Sequence, residues 1–140
     1  MSGPVTMGER TQPCMPIRDG ESIVFGDLLR VSDAIDQAVI LDDVALEGVP
    51  EAEAYVLPIM DQTMQGGFSL DEPPATWGER ESAEDYRVEP GTLINVVAVL
   101  PPRTEALPAT AMTVAYHFES GLDFEIESGS RFVLEPDACF

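Results

Sequence analysis

Tyr116-His117-Phe118-Glu119-Ser120-Gly121-Leu122-Asp123-Phe124 is the stretch on which the fold turns. If Glu119, Ser120 and Gly121 form a three-residue loop with glycine in the left-handed position, its arms fold back as a hairpin. Phe118 then faces Leu122, Tyr116 faces Phe124, and Val114 faces Ile126. That side is wholly apolar, and Phe118 and Phe124 are expected to point inward. The other side sets Thr113, Ala115 and His117 against Glu127, Glu125 and Asp123. A two-residue Ser-Gly turn would oppose Phe118 to Asp123 and mix the faces. Side-chain period and turn chemistry therefore select the same register. The hairpin should be half-buried, with one acidic face in water.

The same rhythm of short apolar runs broken by Gly, Pro and acids extends in both directions. The runs are Ser22–Val31, Ala38–Gly48, Ala54–Met60, Thr92–Leu100, Ala111–Glu119, Leu122–Glu127 and Arg131–Glu135. They predict an all-β fold, an immunoglobulin-like antiparallel β-sandwich of about seven strands. A long irregular loop is expected at about 61–91, with Ser82-Ala83-Glu84-Asp85 starting a one-turn helix inside it. Residues 1–20, rich in Pro and Gly, read as a flexible lead-in, and 21–140 as a single domain. One run is ambiguous. Leu28, Val31, Ile35 and Val39 fall at helical spacing, so 27–41 could be a helix. The strand reading puts a turn at Ser32–Asp36 and a bulge at Asp42–Asp43. The bulge restores the alternation of Val39, Leu41, Val44 and Leu46.

Charge bounds the partners. The chain has 26 Asp and Glu against seven Arg and no Lys, a formal charge of -19, yet 44% of its residues are hydrophobic. A chain this apolar can bury a core, so it is not a disordered acidic tail. Its surface must repel nucleic-acid phosphate and anionic lipid, which argues against direct nucleic-acid binding and membrane insertion. The expected partner, of unknown identity, is a protein. Self-repulsion should also cost stability at low ionic strength. The melting temperature is expected to rise by several degrees between about 10 mM and 1 M NaCl, as the Debye length falls from roughly 30 Å to 3 Å. A flat or falling thermal-denaturation series would mean that the carboxylates are already neutralised by paired cations. A GC-rich genome and adaptation to high salt both account for the missing Lys, and composition does not separate them.

Few residues carry candidate chemistry. His117, the sole histidine, should sit across from Asp123, an acid/base pair in outline. A surface cross-strand ion pair is the preferred reading, and no nucleophile elbow, phosphate loop or zinc motif accompanies the histidine. The expectation is no enzymatic activity, no catalytic residue and no cofactor or metal site. Asp42-Asp43 and Glu84-Asp85 are doublets of hard oxygen ligands without a calcium-loop pattern, and read as solvated charge. Cys14 and Cys139 could close one disulfide near the chain ends in an oxidising compartment, or stay as free thiols in a reducing one. Met60, Met64, Phe68 and Trp77, in or beside the long loop, are the candidate partner contacts, although the preferred reading of Trp77 by itself is that it plugs an end of the sandwich.

Several stretches together resemble a known group. They are Val39-Ile-Leu-Asp-Asp-Val-Ala-Leu-Glu-Gly-Val49, Ala54-Tyr-Val-Leu-Pro-Ile59, Trp77-Gly-Glu-Arg80 and Val88-Glu-Pro-Gly-Thr-Leu-Ile-Asn-Val-Val-Ala-Val-Leu100. Val114-Ala-Tyr116 and Phe124-Glu-Ile126 complete the set. The chain is similar to uncharacterised extracytoplasmic immunoglobulin-like domains of actinobacterial lipoproteins and single-span membrane proteins. The resemblance implies a sandwich outside the cell and carries no activity. A lipobox or membrane anchor is not found in these residues, so an extracytoplasmic location requires an upstream export segment, and without one the chain is cytoplasmic. Two functions are consistent with the sequence. One is a non-catalytic extracytoplasmic binding or structural domain. The other is an acidic cytosolic inhibitor that mimics nucleic acid and binds a basic nucleic-acid-binding protein.

Overall fold

The computed structural model describes residues 5–7, 12–17, 20–57, 66–73 and 75–135. In chain order the strands are β1 (Val5–Met7), β2 (Cys14–Pro16), β3 (Ile23–Val31), β4 (Val39–Leu46), β5 (Glu53–Leu57) and β6 (Gly66–Ser69). A short 3-10 helix (Ala75–Glu79) follows. Then come β7 (Glu81–Ser82), β8 (Arg87–Val88), β9 (Leu93–Leu100), β10 (Leu107–Thr110), β11 (Met112–Phe118), β12 (Asp123–Glu127) and β13 (Phe132–Glu135). Each of the seven expected runs coincides with one strand, β5 beginning one residue before its run. The unforeseen strands are no longer than four residues each, too short to carry a period.

The strands form a sandwich. One sheet runs β1-β3-β9-β5-β7, with β6 also on β3. β1 and β6 lie end to end along one side of β3, against Leu29–Val31 and Ile23–Gly26 respectively. Facing it is a four-stranded sheet, β12-β11-β4-β8. A third sheet, β10-β13-β2, packs against the same core, and its β13–β2 pair is parallel where the sequence predicted antiparallel pairing throughout. The core fills the space between: Phe25, Leu29, Val96 and Leu100 from the first sheet meet Leu41, Leu46, Met112 and Val114 from the second and Phe132 and Leu134 from the third. Close packing of this kind is what makes single core side chains costly to delete. At Gly67 the backbone lies so near β2 and β3 that a Cβ would sit 2.7 Å from Met15 Cγ and 3.0 Å from a Phe25 ring carbon.

The ambiguous run is strand, turn, strand. Residues 27–31 lie in β3, residues 33–37 turn, and β4 begins at Val39. β3 carries no helix because both its faces are covered, which gives it a near-continuous buried run instead of an alternating one.

Other expectations need correction. The lead-in 1–20 holds β1, paired to β3, and β2, paired to β13. The long irregular region also contains β6, the 3-10 helix, β7 and β8. Ser82–Asp85 starts no helix: the Glu84 amide donates to Ser82 Oγ at 3.3 Å, and Asp85 turns left-handed at φ 63°. That residue's amide donates to Leu41 O at 2.8 Å, which ties the turn to β4 instead of propagating it.

Candidate functional site

The hairpin adopts the expected register, with Tyr116 opposite Phe124, Val114 opposite Ile126 and His117 opposite Asp123. Gly121 is left-handed at φ 99°, and the Phe118 amide donates to Leu122 O at 3.0 Å. Phe118 and Tyr116 are buried as read. Phe124 is not. It stacks on Tyr116 with ring centroids 5.7 Å apart and meets Phe118 edge-on at 5.2 Å, but it stays 42% exposed. The side is right and the coverage is wrong: β12 is the last strand of its sheet, so Phe124 overhangs the core.

β11 also pairs with β4, and the register slips between Ala115 and Tyr116. Ala115 faces Asp43 and Tyr116 faces Leu41, so Asp42 is the extra, bulged residue. The bulge lets Leu41 and Val44 both point inward while Asp42 and Asp43 both remain exposed. Two adjacent carboxylates therefore join Asp123, Glu125 and Glu127 on the outward side of one sheet. Ala45, Thr113 and Ala115 keep its centre low.

At one end of this face sits His117. Its Nδ1 lies 2.7 Å from Asp42 Oδ1, a partner 75 residues away in sequence. Asp123 is its register neighbour. One ligand atom from each of the three lies within 4.8 Å of the others. Such a set can share a proton or meet a cation at the water boundary, with solvent filling the remaining positions. The negative charge is only partly offset. Arg131 reaches Glu127 at 3.2 Å while also donating to Ser128 O. Among the described residues, no ion pair engages Asp43, Asp123 or Glu125.

The hairpin tip is clamped. Glu119 accepts a hydrogen bond from the Ala38 amide at 2.8 Å and one from Arg87 at 2.9 Å. Arg87 also donates to Glu89 at 2.8 Å. The Ser120 amide donates to Gln37 Oε1 at 2.9 Å. The Ala38 amide first, then Arg87, hold the Glu119 carboxyl below its ordinary value of 4.5. A carboxyl depressed on folding stabilises the fold fully above its unfolded value, and that contribution fades as pH falls through the lowered folded value. Glu119→Gln should therefore flatten the acid limb below about pH 4.5 in chemical denaturation followed against pH. An unchanged limb would mean that the clamp does not persist in solution.

Beside this face runs an open groove of about 680 Å³ lined by Asp42, Asp43, Glu53, Tyr55, Ser82 and Glu84, among others. Tyr55 donates to Glu53 at 2.7 Å, and that hydrogen bond is the main cause of its raised pKa. Acidic surface thus continues from the four-stranded sheet onto β5 and β7.

Of the predicted contact residues, Phe68 and Trp77 come together. Trp77 meets Phe68 edge-on at 5.6 Å and Tyr55 at 5.9 Å, and the Arg80 guanidinium lies 4.7 Å from its ring centroid. The group is half-buried over Val24, Leu57 and Val97 on the outer side of the large sheet. Trp77 therefore covers a sheet face and does not plug an end. Met60 and Met64 lie outside the described residues, as does Cys139. Cys14 is disulfide-bonded. Glu84-Asp85 is split, with Glu84 lining the groove and Asp85 occupied by the turn.

No protein-family model matches the chain, and no curated protein matches it. Among solved structures, it is similar to the Vibrio cholerae VesB protease at 12% identity and a TM-score of 0.46, covering 94% of this chain and 32% of that one. The chain thus spans about a third of the protease. It is also similar to the N-terminal domain of PorA at 15% identity and a TM-score of 0.46, covering 96% of this chain and 99% of that one.

Proposed function

We propose that this chain is a non-catalytic, extracytoplasmic binding domain of immunoglobulin-like type whose acidic sheet face docks the basic surface of another protein. The observation that carries the reading is the outward side of the four-stranded sheet. There Asp42 and Asp43 project from β4 and Asp123, Glu125 and Glu127 from β12, on either side of β11, with Arg131 on Glu127 and Arg87 farther along on β8. Five carboxylates fixed on a rigid sheet form a field that lowers the free energy of an approaching cation and speeds its encounter. Small side chains at Ala45, Thr113 and Ala115 leave room for the partner to seat. The bonded state of Cys14 favours an oxidising compartment over the cytosol, where a nucleic-acid mimic would act.

The test is a calorimetric titration with oligolysine of about 20 residues, at low and high salt. Wild-type protein should bind, and binding should weaken steeply with salt. The triple variant Asp43→Asn, Asp123→Asn, Glu125→Gln should bind at least about tenfold more weakly, because it removes the carboxylates without ion-pair partners. Equal binding by the triple variant would place any cation affinity elsewhere on the surface and refute the assignment of this face.

A further inference from the structure

We infer that the free edge of β12 accepts an extended basic segment of the partner as an added strand. The inference rests on the binding role proposed above and specifies its geometry. Among the described residues β12 pairs only with β11, so no described strand bonds to its second edge, although β1 packs near it. The hydrogen bonds from the Phe118 amide to Leu122 O and from the Ser128 amide to Met112 O bracket the β11–β12 ladder. An antiparallel ladder alternates, so Leu122, Phe124, Ile126 and Ser128 spend their main-chain groups on β11. Asp123, Glu125 and Glu127 then present theirs to the open edge. An incoming strand would find donors and acceptors at alternate residues, the arrangement used in strand addition.

The side chains say what that strand must carry. Residues directly opposite Asp123, Glu125 and Glu127 would share their face, and cations there gain while anions lose. The intervening residues would lie over Phe124 and Ile126. Among the described residues, the exposed large apolar side chains are Leu122 at 62% and Phe124 at 42%, and both belong to this hairpin. A charged edge alone would be ordinary protection against aggregation. Protection does not require apolar side chains left in water on the same strand, whereas docking uses them. The occupant is therefore a segment of a few residues alternating Lys or Arg with Val, Ile or Leu. A second copy of this chain fits poorly, because pairing β12 with itself would set three carboxylates against three carboxylates.

The experiment uses the full chain and three synthetic peptides of seven residues. The first alternates Lys and Val. The second has the same sequence, N-methylated at the amides that would face β12, so it keeps charge and side chains but cannot pair. The third replaces Lys by Glu. Affinity is read by calorimetry, and amide exchange is followed at Asp123, Glu125 and Glu127. The first peptide should bind and slow exchange at these amides. N-methylation should weaken it at least about tenfold, Phe124→Ser should weaken it several-fold, and the Glu peptide should not bind. Equal affinity for the methylated peptide, with oligolysine binding intact, overturns the strand-addition mode and leaves the acidic face as the site. Binding of neither the Lys peptide nor oligolysine overturns both. Concentration-dependent dimerisation lost on Glu125→Pro would assign the edge to a second copy and overturn the inference as well.

Discussion

Phe132→Ala should lower the unfolding free energy by about 3–5 kcal/mol, a large share of the stability of a domain this size. Phe132 is fully buried, with its ring centroid 5.1 Å from that of Phe25. It belongs to the three-stranded sheet, and Phe25 belongs to β3, so this contact is where that sheet joins the main sandwich. Deletion leaves a cavity at a junction of sheets that cannot close by moving one strand. Phe124→Ala should cost less than about 1 kcal/mol despite removing the same side chain, since its ring lies at the sheet edge and partly in water. Urea denaturation of the two variants separates them. Similar losses would mean that Phe124 is covered in solution and that the edge described here is closed.

Ser128→Ala is expected to be costly for a different reason. Asp27 sits on β3 with its carboxyl group inside the sandwich and no exposure. The Leu28 amide donates to its Oδ1 at 2.8 Å, and the Ser128 hydroxyl donates to its Oδ2. Ser128 Oγ in turn accepts from the Ser130 amide at 3.0 Å. Removing the hydroxyl takes a hydrogen-bond donor from a buried carboxyl oxygen and an acceptor from the Ser130 amide, at a cost of about 1–3 kcal/mol or more if charge is stranded. The variants Asp27→Ala, Ser128→Ala and the double variant should be far from additive, with the double costing less than the two singles together. Additivity would mean that the pair is not coupled and that Asp27 is satisfied some other way.

What the sequence made legible follows from period. β11 alternates strictly between Met112, Val114, Tyr116 and Phe118 on one side and Thr113, Ala115 and His117 on the other, so both faces and the hairpin register could be read directly. The Asp42–Asp43 bulge was readable too, because Leu41 and Val44 fall on one side only if a residue is inserted between them. Contacts across sequence distance were not readable. Nothing near His117 signals that its hydrogen-bond partner is Asp42, or that Asp27 meets Ser128 across 101 residues. Exposure of Phe124 was hidden for a related reason. Alternation says which side of a strand a residue takes, but strand order decides whether that side is covered. β7 and β8 have two residues each and leave no pattern at all. The candidate site was therefore half visible: its acids were on the correct face, while the β4 contribution and the open edge came from topology.

Backbone amide NMR of the intact chain, titrated with the alternating Lys and Val peptide, reads the docking face residue by residue. Shift changes should concentrate on Asp42, Asp43, His117, Asp123, Glu125 and Glu127, saturate together and be reversed by salt. Changes centred on Phe68, Trp77 and Arg80, or spread evenly over all the acids of the surface, would contradict docking on this face.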